Sequence, residues 1–297
     1  MRIATCIHQQ QQHIGLVVDS SIILPSLSNR YSGELDDMLA VIEAGPTSWS
    51  RLAAITGNIS SSCRLPLTEV ELLAPIPRPH KNIMCLGLNY ADHAQESLAA
   101  HGREIVLPEH PVVFTKSITS VNGPYAGIPY DDTVSNQLDW EVELGVVIGL
   151  SGRKIQVEEA LNHVFGYTVI NDVSARDLQF RHKQYFLGKS LDGACPMGPW
   201  IVSADEIPDP QALNLHCWVN GVLKQSSNTR HQIFSVAQTI SILSHSMTLE
   251  PGDIIATGTP GGVGFARQPA EYLSPGDVVE CEVERVGKIK NIVTTQF

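Results

Sequence analysis

The run Asp139-Trp-Glu-Val-Glu-Leu-Gly-Val-Val-Ile-Gly149 constrains this chain more than any other segment. Its apolar end reads as a core strand, yet Glu141 and Glu143 stand two residues apart where it begins. Strand period two puts both carboxylates on one face. Two like charges so close to an apolar core raise each other's pKa and cost roughly several kcal/mol, unless a cation or a basic group lies between them. A solvated Glu-x-Glu face is the plain alternative, and the motif alone does not choose.

A second apolar strand, Val164-Phe-Gly-Tyr-Thr-Val-Ile-Asn-Asp172, also ends in a carboxylate. Ser174 and Asp177 follow at capping-box spacing, so a helix is expected over Ser174–His182, and Asp172 could simply help to cap it. Three carboxylates at strand ends, without His or Cys, form a hard oxygen set. Such a set suits octahedral Mg²⁺ or Mn²⁺ with open water positions better than zinc.

His93 and Glu96 lie three apart on a helix expected over Asp92–Ala100, where they share a face. The carboxylate can fix the imidazole tautomer and make His93 a general base, although a surface His–Glu pair is the commoner occurrence. His101–His110, polar and broken by Gly102 and Pro108, reads as a lid or as an ordinary surface loop. Arg176 and Lys189 supply positive charge near the acidic motifs in sequence, suited to an anionic substrate or to plain ion pairs. Thr257-Gly-Thr-Pro-Gly-Gly-Val-Gly264 lacks the Lys-Ser/Thr of a P-loop and the spacing of a dinucleotide site. What remains is a tight turn of exposed N–H groups and a Thr hydroxyl, fit to grip a carboxylate or an oxyanion. No G-x-S-x-G or H-E-x-x-H motif is present.

Around these motifs the chain reads as α+β. Residues 1–75 alternate strand-like runs (Met1–Ile7 and Ile14–Asp19) with an amphipathic stretch, Glu34–Ala44, and form a small N-terminal α/β module. Gln9–Gln12 reads as a polar loop. Three prolines within Ala74–Pro79 favour extended backbone and mark a boundary, so residues 76–297 form a mainly β catalytic domain. Asn220-Gly221 is a type I′ hairpin signal; Pro-Gly-Asp turns at Pro251 and Pro275 introduce strands Ile254–Ala256 and Val278–Val283; a last helix is expected over Val236–His245.

A net charge of −11 leaves no broad electrostatic footprint for nucleic acid. No apolar run is long enough for a membrane span and the N-terminus lacks a signal-type h-region, so a cytoplasmic protein is expected. Six cysteines scattered singly argue against a disulfide framework and a structural zinc site.

Taken together, the blocks GLNYADHAQE, DWEVELGVVIG, GYTVINDVSARDLQ, GKSLDGACPMGPW, VNGVLKQSSNT and LEPGDIIATGTPGGVG closely resemble the fumarylacetoacetate hydrolase family, in order from about residue 80. The resemblance implies a mixed β-sandwich roll, usually dimeric, with one divalent ion per subunit on Glu141, Glu143 and Asp172. It also implies that Lys189 polarises the substrate, that Arg176, Gln179 and Thr259 contact its oxygens, and that His93 and Glu96 orient an attacking water. By the same resemblance, members without that dyad tend to be isomerases or hydratases, so its presence favours C–C cleavage and the leading expectation is an acylpyruvate-type hydrolase acting on a small anionic 2,4-dioxo acid. An oxaloacetate decarboxylase or keto–enol tautomerase on the same scaffold is the alternative, and a non-catalytic dimeric binding protein is a third.

Overall fold

Alternating apolar residues near the N-terminus pair as an antiparallel hairpin, β1 (Arg2–His8) and β2 (Gln11–Val18). Gln9 and Gln10 make the turn with φ of 49° and 64°, so Gln11 and Gln12 belong to the strand and not to the expected loop. Strands β3 (Ser21–Ile23) and β4 (Arg64–Pro66) extend this sheet edge. Helix α1 (Met38–Glu43) begins where the Asp37 carboxylate accepts from the Leu39 N–H, and it buries Met38, Leu39 and Ile42; α2 (Gly45–Ile55) follows. This is a computed structural model, and it describes residues 1–28, 37–55, 60–100, 102, 104, 106–181 and 183–295; the start of the expected amphipathic stretch, with Leu35, lies outside them.

Beyond the proline-rich segment come β5 (Ile83–Gly87), α3 (Ala91–Ala100), β6 (Val112–Lys116), β7 (Val142–Ile148) and β8 (Val164–Asn171). Then follow α4 (Arg176–Arg181), α5 (Phe186–Lys189) and β9 (Cys195–Ser203). The remainder holds β10 (Asn214–Val219), β11 (Val222–Asn228), α6 (Val236–Ser246), β12 (Ile254–Ala256), β13 (Val278–Val283) and β14 (Gly287–Thr294). The main sheet runs β4-β3-β2-β1-β9-β8-β7-β12-β5-β6, and the second runs β11-β10-β13-β14. Arg2 and Ile3 pair with Val202 and Ile201, so the N-terminal strands continue the main sheet.

Every residue of β7 and β8 is buried, as expected for central strands covered on both faces. Leu144, Val146 and Ile148 pack with Leu215 and Ile289 of the second sheet and Ile240 of α6. On the opposite side Val147 and Ile170 pack with Met38, Leu39 and Leu52 of the N-terminal helices. The β10–β11 turn carries Asn220 and Gly221 at φ of 51° and 75°, the left-handed pair that a type I′ hairpin needs. Helix α6 opens with the Ser235 hydroxyl on the Gln238 N–H and the Gln238 amide on the Ser235 N–H, a full capping box. All six cysteines are buried free thiols. Among the described residues no helix is long and apolar enough to cross a membrane. The fold is α+β and mainly β.

Candidate active site

Antiparallel pairing of β7 and β8 sets Val142 opposite Asn171 and Glu143 opposite Ile170, which brings Glu141, Glu143 and Asp172 to one end of the sheet. Two further bonds lock that end: the Asp172 N–H donates to Glu141 O (2.9 Å), and the Glu141 N–H to Asn171 Oδ1 (3.0 Å). One carboxylate oxygen from each of the three acids lies within 4.8 Å of the others, and all three residues are buried.

Three cations surround this cluster. Lys189 Nζ lies 2.7 Å from Glu141 Oε2 and 2.6 Å from Asp172 Oδ2. Arg176 donates to Glu141 Oε1 at 2.7 Å, to Asp139 Oδ2 at 2.8 Å and to Gln179 Oε1 at 2.8 Å. Lys116, at the end of β6, lies 2.7 Å from Asp172 Oδ1 and donates to Val173 O. Sequence reading missed Lys116; its only trace is a lysine closing the apolar run Val112–Phe114. The sequence shows the carboxylates without a basic residue in their own motifs, but folding brings basic groups in from elsewhere.

The expected helix over Ser174–His182 needs correcting. Ser174 and Ala175 pair with Asp139 and Leu138, the Ser174 hydroxyl donates to Asp172 O, and Asp177 Oδ1 accepts from Ser135. The ladder claims the residues a capping box would have used, so α4 starts only at Arg176; His182 lies outside the described residues.

His93 and Glu96 do face each other on α3, with His93 Nδ1 3.0 Å from Glu96 Oε1. Glu96 also accepts from the Gly262 N–H (2.8 Å), which pins α3 to the glycine-rich turn. That turn grips carboxylates, but they are the protein's own. Gly258 N donates to Glu143 Oε2 (2.7 Å), and Gly264 N and Phe265 N donate to the two oxygens of Asp139. Thr259 lines the cavity, but its hydroxyl donates to Val142 O and accepts from Gln225 Nε2. Gln225, a buried residue of β11, also donates to Pro260 O and accepts from Val142 N–H, and so ties the turn to β7. Sequence reading passed over it because the hairpin that carries it looked purely structural.

Burial alone would raise the Glu141 pKa, but Lys189 and Arg176 hold it well below the carboxylate range. Burial, then the charges of Asp172 and Glu141, push Glu143 well above that range. Glu143 Oε1 is buried and without a hydrogen-bond partner among the described residues. Four buried carboxyl groups (Asp139, Glu141, Glu143, Asp172) meet three buried basic side chains (Lys116, Arg176, Lys189), so all four can ionise together only with a further cation. A hard-oxygen cluster with an orphaned carboxyl oxygen, one more carboxyl group than basic partners, fits a divalent cation held by Glu141, Glu143 and Asp172.

The cluster opens onto a cavity of about 610 Å³. Glu141, Arg176, Gln179 and Lys189 line its buried end, His93 and Thr259 face it, and Leu88, a leucine held at φ 54°, forms part of the wall. Arg176 Nη2 is buried without a hydrogen-bond partner among the described residues. Of the nine site residues expected from the sequence, His93, Glu141, Arg176, Gln179, Lys189 and Thr259 line one space; Glu96 and Asp172 bond to His93 and Lys189, and a Glu143 oxygen lies within 4.8 Å of one from Glu141.

Comparison with known proteins agrees with this geometry. The chain is 51% identical over 225 residues to the oxaloacetate tautomerase YisK of Bacillus subtilis (strain 168), covering 76% of this chain and 73% of that protein. The crystal structure of a fumarylacetoacetate hydrolase from psychrophilic Exiguobacterium antarcticum superposes with a TM-score of 0.85 at 38% identity, over 100% of both chains. A maleylpyruvate hydrolase from Sphingobium sp. SYK-6, solved with manganese(II) and pyruvate, gives 0.78 at 28% identity over 99% of each chain. The family model for the fumarylacetoacetate hydrolase C-terminal region matches residues 82–294, which hold β7, β8 and the whole carboxylate cluster. The chain belongs to the fumarylacetoacetate hydrolase family.

Proposed function

We propose that this enzyme interconverts the enol and keto forms of a 2-oxo dicarboxylic acid of the oxaloacetate type, using one Mg²⁺ or Mn²⁺ per subunit. The observation that carries this is the pinned His93–Glu96 pair beside a carboxylate cluster suited to a divalent ion. Similarity to an oxaloacetate tautomerase at 51% identity, against 28% to a maleylpyruvate hydrolase, ranks tautomerisation above the C–C cleavage expected from sequence.

The chain's own groups suffice for the proton movements. Glu96 accepts the Nδ1 proton of His93, leaving Nε2 as the base that removes a proton from C3 of the keto acid or returns it there. Lys189 and Arg176 Nη2 hold the enolate oxygen and the adjacent carboxylate, and the His93 imidazolium returns to O2 the proton that it took from C3, so no net proton is gained or lost. A divalent ion, when bound, supplies Lewis-acid stabilisation of that enolate. The buried walls keep bulk water from quenching it.

C–C hydrolysis is the second reading, favoured by a cavity roomy enough for a longer dioxo acid and by a base equally able to activate water. On either reading we take the protein as a cytoplasmic homodimer, with exposed Phe186 and Leu187 as apolar surface for a second copy. Light scattering at twice 32.4 kDa would support that assembly.

The deciding experiment follows enol decay of oxaloacetate and cleavage of acetylpyruvate and fumarylpyruvate with manganese-loaded protein. Accelerated enol decay, lowered roughly 10²–10⁴-fold in His93→Ala, is expected. Acylpyruvate cleavage without accelerated enol decay would transfer the assignment to hydrolysis.

A further inference from the structure

The two ends of the cavity differ in what their cations are doing. At the buried end Arg176 and Lys189 lie against carboxylates of the protein, and behind them Lys116 lies against Asp172. At the mouth Arg181 and Lys183 line the same cavity, both are exposed, and neither forms an ion pair with any of the described residues. Arg181 ends the helix that Arg176 begins, so it stands about 7.5 Å farther along the axis, toward solvent. Leu98, Phe114, Phe180 and Phe265 also line the cavity, and their side chains offer an anionic tail no hydrogen bond.

Charge makes this arrangement consequential. A protein of net charge −11 repels a dianion at long range, and two unpaired basic side chains at the cavity mouth oppose that repulsion where the substrate enters. A 2-oxo acid seated with its head at the buried end directs any tail group outward, toward these two side chains.

We propose that Arg181 and Lys183 form a distal anion subsite that selects 2-oxo dicarboxylates over 2-oxo monocarboxylates. The assignment rests on the oxo-acid reading of the buried end, and it names the side chains that recognise the substrate's second carboxylate. Arg181 offers a planar fork for a carboxylate and Lys183 a mobile point charge, a combination that accepts tails of differing length.

Calorimetry on the manganese-loaded full chain tests it with 2-oxoglutarate and 2-oxopentanoate, which share head group and chain length and differ only in the terminal carboxylate. Wild type is expected to bind the diacid about tenfold more tightly, a preference that Arg181→Gln with Lys183→Gln abolishes and that about 0.5 M salt narrows. Binding of 2-oxopentanoate by the double variant serves as its folding control. Equal binding of the two acids by wild type, or a preference that survives the double substitution, would overturn the subsite and leave the oxo-acid reading standing. Binding of neither acid by wild type would overturn both.

Discussion

Lys116 Nζ lies 2.7 Å from Asp172 Oδ1, and both side chains are wholly removed from solvent. The lysine comes from β6 and the aspartate from the end of β8, so the contact joins two motifs that sequence reading treats separately. The same ammonium donates to Val173 O, which leaves it little freedom to follow a substrate and gives it a positioning role.

Removing that ammonium leaves Asp172 buried with one partner fewer. Lys116→Met should lower stability by about 3–5 kcal/mol, the usual cost of breaking a buried pair from one side. Lys116→Met combined with Asp172→Asn should recover part of the loss. Urea unfolding of the two variants measures both.

Glu143 carries the raised carboxyl pKa of the cluster and an unpartnered oxygen, so its charge is costly until a cation meets it. Glu143→Gln should leave the melting temperature of metal-free protein unchanged or higher. It should also weaken manganese binding at least about 100-fold and erase the stabilisation that added metal gives wild type. Calorimetry and thermal melts with and without metal read these opposite effects.

Gly188 packs α5 against α4 so closely that a Cβ would lie 2.4 Å from the Gln179 backbone nitrogen and 2.7 Å from Ala175 O. Backbone atoms on both sides cannot rotate away. Gly188→Ala should therefore cost about 3 kcal/mol or more and displace the neighbouring Lys189, with a fall in kcat that exceeds the loss of folded protein. Activity per folded molecule, from circular dichroism and rate on the same sample, separates the two effects.

Burial pushes the thiols of Cys6 and Cys195 up to about 12. An acid whose folded pKa lies above its unfolded value holds its proton longer in the folded state, so stability is constant below the unfolded value and falls above it. Between about pH 9 and 12 each such thiol should remove up to about 1.4 kcal/mol per pH unit. Urea midpoints should therefore decline more steeply from pH 8 to 10 in wild type than in Cys6→Ala with Cys195→Ala. All six thiols should resist a disulfide reagent until urea is added.

Features set by neighbours in the chain were legible in the sequence. Period two placed Glu143 of β7 on the same side as Glu141 just before it, Asn220-Gly221 fixed a hairpin turn through two left-handed residues, and Ile254–Ala256 and Val278–Val283 followed their Pro-Gly-Asp turns at the expected bounds. The His93–Glu96 contact was legible for the same reason, since residues three apart on a helix must meet. Six motifs in order carried the family.

Which distant groups share the buried end was decided only by the tertiary structure. Lys116 reaches Asp172 across 56 residues, Gln225 secures Thr259 across 34, and Glu96 is held by Gly262 across 166. The ladder of Ser174 with Asp139 overrode a local capping signal, because a strand partner satisfies backbone groups that the cap would have served. Local spacing fixes where a side chain points along its own element. The neutralisation of a buried charge depends on sheet register and on packing between segments far apart in the chain, and no short window of sequence contains either.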